Sequence, residues 1–240
     1  MVDFVTQKQD LPYGIVVYNG VLTDELCGRL IEYFEAQPKD KGAELLYGKP
    51  ASFEALPLSD DVMLSDPMLK EVYRRMRKRM HGYFDDHIAL PEFRDLVKKG
   101  CYSLQPRMKR YDAGSEFPLH TDDGSIKAMI RRFAYILYLN DEFKGGDTTF
   151  SSGSREVARI RPKKGNMLVA PVHPIYMHQG ERIEDGSKYI LNGFATVLVS
   201  QARAVVLAGK QPSRLAVVSQ EIDMLARELR NAAQQIFLDD

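Results

Sequence analysis

The residues with the most chemistry to offer are His120 and Asp122, with Thr121 between them, and two histidines further along, His173 and His178. In a β-strand, positions i and i+2 point to the same face, so His120 and Asp122 can present an imidazole and a carboxylate side by side. A third ligand from another strand completes one triangular face of an octahedron. Two histidines and one carboxylate arranged so leave the remaining metal positions open. A His-x-Asp triplet alone is also a common surface hydrogen-bonded pair. His173 and His178 compete for the third place. His173 precedes Pro174, which restricts its backbone, and Lys188 lies ten residues after His178. The remaining histidines, His81 and His87, fall on or just after a helical stretch and read as structural.

These side chains need a frame. From about 100 to 200, short runs of Tyr, Phe, Ile, Val and Leu alternate with Gly, Asp, Asn and Pro. Candidate strands are 102–111, 117–121, 131–139, 147–150, 156–160, 167–170, 175–179 and 188–200, a texture that suggests a sandwich or jelly roll. On the last of them Lys188, Ile190, Asn192 and Phe194 share a face, while Tyr189 and Leu191 turn the other way. Upstream, 14–22 reads as a strand. Thr23-Asp24-Glu25 can cap a helix over about 23–37 that carries Leu26, Leu30, Ile31 and Phe34 on one side. Residues 38–60, rich in Lys, Gly, Pro and Asp, read as loop. Asp66-Pro67 opens a helix running to about Phe84, with an apolar stripe of Leu69, Val72, Tyr73, Met76, Met80 and Tyr83. Its other face (Arg74, Arg75, Arg77, Lys78, Arg79) reads as solvated rather than as a nucleic-acid groove, because the chain balances 33 Lys and Arg against 33 Asp and Glu.

The stretch RYDAGSEFPLHTD, Arg110 to Asp122, resembles the RYxxGxxFxxHxD segment of the prolyl 4-hydroxylase-like branch of the iron(II)/2-oxoglutarate-dependent oxygenases. Further segments resemble that family in order: Tyr138-Leu139-Asn140, the GGDTTF run from Gly145 to Phe150, KGNML from Lys164 to Leu168, and His178-Gln179-Gly180 followed by GSKY from Gly186 to Tyr189. LTDELCGRLIEYFE resembles the family's N-terminal strand-then-helix, so the resemblance spans about 14–200. It implies a mainly β fold with flanking helices: a double-stranded β-helix (jelly roll, cupin-like) buttressed by N-terminal helices. It implies His120, Asp122 and His178 as Fe(II) ligands, Lys188 as the salt-bridge partner of the 2-oxoglutarate C5 carboxylate, Tyr138 as a hydrogen-bond donor to that carboxylate, Tyr111 in the co-substrate pocket and Thr148 nearby. A buried lysine needs a counter-charge, and a dicarboxylate supplies one.

The activity so implied is a dioxygenase that takes Fe(II), 2-oxoglutarate and O2, with ascorbate as an optional reductant, and releases succinate and CO2 as it hydroxylates a C–H bond. The expected substrate is a prolyl residue in a peptide or protein, or a free amino acid or small metabolite. Phe194 stands where many prolyl hydroxylases carry tryptophan, and the chain has none. The 40–60 loop and the segment 123–132, with Lys127, Arg131 and Arg132, flank the site mouth, where substrate contacts are expected. Nucleobase demethylation fits less well, for lack of an arginine-rich strand signature. The alternatives are a catalytically inactive jelly-roll metal-binding or interaction module, which would have lost one of His120, Asp122, His178 or Lys188, and a zinc hydrolase, which has no use for Lys188.

Length and composition agree with one good-sized domain: 240 residues, 44% hydrophobic and 28% charged. Cys27 and Cys101 form neither a disulfide framework nor a CxxC zinc site. No basic-then-apolar leader and no long apolar run is evident, so the expected compartment is the cytoplasm, with no membrane partner. The expected organisation is an oxygenase domain over 1–205 (helical support 1–100, jelly-roll core 101–205) and an amphipathic helix over 206–240. Leu215, Val218, Ile222, Leu225, Leu229, Ala232 and Ile236 give that helix a heptad seam, which could pair two subunits as a homodimer or lie along the back of the sheet.

Overall fold

The computed structural model describes residues 7–46, 49–123 and 131–197. The C-terminal amphipathic helix, the postulated dimer seam on it, and most of the 123–132 segment lie outside these residues.

The elements in chain order are β1 (Lys8–Leu11), β2 (Ile15–Tyr18), α1 (Asp24–Ala36), β3 (Asp40–Leu46), β4 (Lys49–Pro57), α2 (Asp60–Ser65), α3 (Pro67–His87), α4 (Pro91–Lys99), β5 (Cys101–Asp112), β6 (Phe117–His120) and β7 (Phe133–Tyr138). Then come β8 (Lys144–Gly145), β9 (Thr148–Ser152), β10 (Arg155–Ile160), β11 (Met167–Pro171), β12 (Met177–Gly180), β13 (Ile183–Asp185) and β14 (Ser187–Val197). An eight-stranded sheet runs β1-β2-β11-β7-β14-β5-β4-β3. A four-stranded sheet runs β10-β9-β12-β6, and β13 pairs with β8. The fold is mainly β with a few helices, as expected.

The two long helices start where the sequence places their caps. The Thr23 hydroxyl accepts from the Leu26 N–H at 3.3 Å, and the Asp66 carboxylate accepts from the Met68 and Leu69 N–H groups at 2.8 and 2.9 Å, satisfying first-turn donors that no helical carbonyl reaches. The apolar stripes of both helices meet one face of the large sheet. Leu26, Cys27, Leu30 and Phe34 of α1 and Leu69, Val72, Met76, Met80 and Phe84 of α3 share a cluster with Val16, Tyr18, Met108, Leu137, Val169 and Leu191. The neighbouring strand residues point the other way. Ile15, Val17, Tyr111, Leu168 and Ile190 join Phe150 and Ile160 of the small sheet in a second cluster. This period-2 division makes the large sheet a partition. Helices cover one side, and the space between the sheets lies on the other.

Three expectations change. Residues 40–46 and 49–57 are not loop: β3 and β4 pair as an antiparallel hairpin that extends the large sheet beyond β5. Lys, Gly and Pro there obscure the alternation Ala51, Phe53, Ala55, whose side chains are buried. The 14–22 strand is shorter, ending at Tyr18, and α3 continues past Phe84 to His87. The sequence reading also lacked α4, whose apolar content is slight.

Gly165 holds the turn before β11. Its φ is +79°, and an added Cβ would collide with the Leu22 carbonyl oxygen. Its N–H donates to the Tyr138 carbonyl at 2.9 Å and its carbonyl accepts from Leu22 at 3.0 Å. Gly165→Ala is therefore expected to cost about 1–3 kcal/mol through left-handed backbone strain and the close approach. A fall of several degrees in Tm, read by circular dichroism, would show this, and an unchanged Tm would refute it.

Candidate active site

His120 closes β6 and lies directly opposite His178 of β12 in the antiparallel register. Their ring centroids are 4.2 Å apart. Asp122 is two residues beyond His120, but β6 has already ended there and Asp122 sits in the turn that follows. The turn brings the carboxylate between the rings. Asp122 Oδ1 is 3.6 Å from His120 Nε2, and Oδ2 is 3.4 Å from His178 Nε2. One ligand atom from each of the three residues lies within 4.8 Å of the others. The i, i+2 argument thus puts the right groups together, although a turn rather than a strand delivers the second.

The surroundings suit a metal. His120 Nδ1 donates to the Pro118 carbonyl at 2.8 Å, which assigns the proton to Nδ1 and turns the Nε2 lone pair toward Asp122. Phe117 packs edge-on to His120, and Phe150 lies nearly parallel to His178, with centroids 4.7 and 5.3 Å away. Burial, opposed by the Asp122 charge, pushes His178 down to about 4, so its imidazole is neutral at pH 7, the form that ligates. Burial would raise Asp122, but its neighbours His178 and His120 and the charge of Arg131 outweigh it, and the carboxyl is held down to about 2. Two imidazole nitrogens and one carboxylate oxygen on one side of an open space fit a divalent ion that keeps vacant positions. His173 is exposed and outside this cluster, its Nδ1 accepting from the Ile175 N–H at 3.4 Å.

The triad opens on a cavity of about 300 Å³ between the sheets. Lys188 lies in its wall, buried, with Nζ donating to the Gly146 carbonyl at 2.6 Å. Burial, reinforced by Arg161 and opposed by Asp147, lowers its ammonium to about 7. Gly146 shows why the turn carries glycine: its φ is +72° and a Cβ would meet the Ile183 side chain. Tyr111 sits opposite Lys188 in the β5–β14 register, and both it and Thr148 line the cavity. Tyr138 is fully buried behind Thr148, to whose Oγ1 its hydroxyl donates at 2.9 Å. As expected, Lys188, Ile190, Asn192 and Phe194 all face the cavity, whereas Tyr189 and Leu191 pack toward the helices.

Two wall residues escaped the sequence reading. Arg107 and Lys109 of β5 alternate with Tyr111 and share its face. Lys109 Nζ lies 3.9 Å from the Phe53 ring centroid and 4.5 Å from that of Phe117, both within cation–π range. Once Tyr111 is placed in the pocket, the spacing 107, 109, 111 is the signal that would have found them.

Residues 106–196 match the model of the 2OG-Fe(II) oxygenase superfamily. No curated protein matches the sequence. Among solved structures the fold is similar to an oxidoreductase of the 2OG-Fe(II) oxygenase family from Burkholderia pseudomallei (TM-score 0.59, 14% identity, covering 77% of this chain and 86% of that one). It is also similar to a viral collagen prolyl hydroxylase from Paramecium Bursaria Chlorella virus-1 in its 2OG complex (0.56, 19%, 78% and 98%). A third is a prolyl hydroxylase from Trichoplax adhaerens in complex with a hypoxia inducible factor oxygen degradation domain peptide fragment (0.57, 12%, 81% and 87%).

Proposed function

We propose that this chain, whose residues 106–196 match the 2OG-Fe(II) oxygenase superfamily model, is a hydroxylase of an unactivated C–H bond that turns 2-oxoglutarate into succinate and CO2. Fe(II), 2-oxoglutarate and O2 are that family's metal and co-substrates. The observation that carries the reading is the convergence of His120, Asp122 and His178 on one end of a cavity whose wall also holds the buried Lys188.

In this reading His120, Asp122 and His178 hold the iron. When bound, Fe(II) supplies the redox chemistry that couples decarboxylation of the 2-oxo acid to insertion of an oxygen atom into the C–H bond. Lys188 anchors the far carboxylate of 2-oxoglutarate, exchanging the Gly146 carbonyl for an anion or sharing the two. Thr148, positioned by Tyr138 behind it, and Tyr111, across from Lys188, shape that end. Phe117 and Phe150 keep water from the imidazoles. The two sheets act as the faces of a double-stranded β-helix, the helices stiffen the larger one, and 1–205 works as the catalytic unit. The substrate is a prolyl residue of a peptide or a free amino acid or small metabolite. Prolyl hydroxylases among the structural relatives favour the first, and the small cavity favours the second.

Under anaerobic conditions, Fe(II) and 2-oxoglutarate together should give the visible metal-to-ligand charge-transfer absorption of a chelate, absent with either alone. Well-folded, metal-loaded protein without that band would end the oxygenase reading. A dimer through the 206–240 helix belongs to the same proposal, and a monomer mass by light scattering would remove it.

A further inference from the structure

The segment that receives the Lys188 ammonium has little stiffness of its own. It covers 143–147, through β8 and the turn into β9, and holds Gly145 and Gly146, both at φ +72°. Glycine is required at each. A Cβ at Gly145 would collide with the Arg182 carbonyl oxygen, and one at Gly146 with the Ile183 side chain. Two successive glycines also leave a backbone its greatest freedom, so the order of this segment comes from what touches it. Part of that is backbone: the Gly146 N–H donates to the Arg182 carbonyl at 3.0 Å, and the Asp147 carbonyl accepts from the Glu181 N–H at 2.8 Å. The rest comes from Arg161, just past the end of β10. Its guanidinium donates to the Phe143 carbonyl at 2.6 Å, to the Gly145 carbonyl, and to Asp147 Oδ1 at 3.2 Å. One planar cation fastens the segment at its start, middle and end. Among these fastened positions the Gly146 carbonyl accepts from Lys188 Nζ at 2.6 Å. Arg161 itself is exposed and stands outside the cavity wall. Around Lys188, Asp147 supports the ammonium charge and Arg161 opposes it. Tyr138 of β7 sets its ring centroid 5.5 Å from Nζ, and burial keeps its hydroxyl neutral. From β5, Tyr111 lies opposite in register and Lys109 packs against Phe53 and Phe117. Glu181, in the same wall, is engaged by Arg159 at 3.2 Å and Gln179 at 3.1 Å.

We propose that Arg161 is a positioning residue for co-substrate binding: from outside the cavity it clamps the 143–147 segment, and so fixes the carbonyl that holds the Lys188 ammonium in place for the C5 carboxylate of 2-oxoglutarate. The inference rests on the assignment of Lys188 to that carboxylate. Precision matters here, because a misplacement of about 1 Å at a positioned group can cost up to about a hundredfold, and groups that hold an anchor are what prevent it. A lysine at position 161 would keep the charge but not the fork that spans two carbonyls and a carboxylate. The charge and the clamp are therefore separable.

The test is Arg161→Lys in the whole chain, read in two ways. The first is anaerobic titration of the Fe(II)-loaded protein with 2-oxoglutarate at about pH 6, where the Lys188 ammonium keeps its charge. Half of the chelate band should require about tenfold more 2-oxoglutarate than in the parent, with iron affinity within about threefold. The second needs neither iron nor co-substrate: an NMR titration of the Lys188 Cε signal, assigned by its loss in Lys188→Ala. Its midpoint should fall by about half a pH unit, because the charge at 161 is kept while the Gly146 acceptor of the ammonium is loosened. Three outcomes would overturn the proposal: 2-oxoglutarate affinity within about threefold of the parent, a midpoint that stays or rises, or iron affinity lost in parallel, which marks general damage to the fold. Should Arg161→Lys not fold, Asp147→Asn removes the carboxylate that aims the fork, and 2-oxoglutarate affinity at about pH 6 decides by the same thresholds. Absence of the band in the parent strikes the oxygenase reading, and the Lys188 midpoint then decides the clamp. A band with parental 2-oxoglutarate affinity in the variant strikes only the clamp.

Discussion

Asp122→Asn is expected to abolish the visible Fe(II)–2-oxoglutarate band and to weaken iron(II) binding at least a hundredfold. The carboxylate is the one anionic donor of the triad, 3.4–3.6 Å from both ring nitrogens. Asparagine keeps the volume and loses the charge. Removing one partner of a buried charged cluster costs about 3–5 kcal/mol, which corresponds to two to four powers of ten in affinity at roughly 1.4 kcal/mol each. The fold should tolerate the change, because Asp122 lies in a turn and asparagine is nearly isosteric with it. Equilibrium dialysis of iron under argon measures the loss. A variant that binds iron as the parent does would remove Asp122 from the ligand set. His178→Ala should behave likewise and His173→Ala should leave the band intact, since His173 is exposed and outside the cluster. The opposite pattern would exchange the two histidines.

Lys188→Ala should preserve iron binding and raise the 2-oxoglutarate concentration needed for half the band by a hundredfold or more, by the same charge-removal argument. A change below about threefold would mean that the C5 carboxylate is held elsewhere, with Arg107 and Lys109 the nearest candidates. A pH dependence accompanies this prediction. Burial holds the Lys188 ammonium down to about 7, so in the free protein it loses its charge as pH rises through neutrality. A bound carboxylate favours the charged form and lifts that value. Binding above pH 7 therefore takes up a proton, and affinity should fall with rising pH by up to about tenfold per unit, levelling off below pH 7. Titrations between pH 6 and 9 check the sign. Affinity that rises with pH would contradict it, and the dependence should vanish in Lys188→Ala.

The candidate metal triad, the buried lysine and the rest of the cavity wall were not equally legible. His120, Asp122 and His178, with Lys188 ten residues on, stood out because ligand types and spacings are local properties of a sequence, and the ordered resemblance sorted His178 from His173. Helix starts were equally local: Thr23 and Asp66 cap the helices they were expected to cap. So was the inward face of β14, because alternation needs no partner.

Arg107 and Lys109 were not legible, for a tertiary reason. Lys109 faces inward because Phe53 of β4 and Phe117 of β6 surround it, and β4 was itself hidden inside a stretch that composition marks as loop. A cation on a strand is read as solvent-facing unless something known lies over it. Phe53 lies more than fifty residues upstream of Lys109, and strand pairing of that range is specified by the other strands as much as by the strand itself. The sequence by itself determined the candidate ligand types, their order, the periodicity of the strands and the caps of the helices, all set by spacing within a few residues. Only the tertiary structure decided that a turn delivers Asp122, that Tyr138 stands behind Thr148, and that two arginines and an asparagine line the same cavity, because each depends on which strands become neighbours and which faces they turn toward one another.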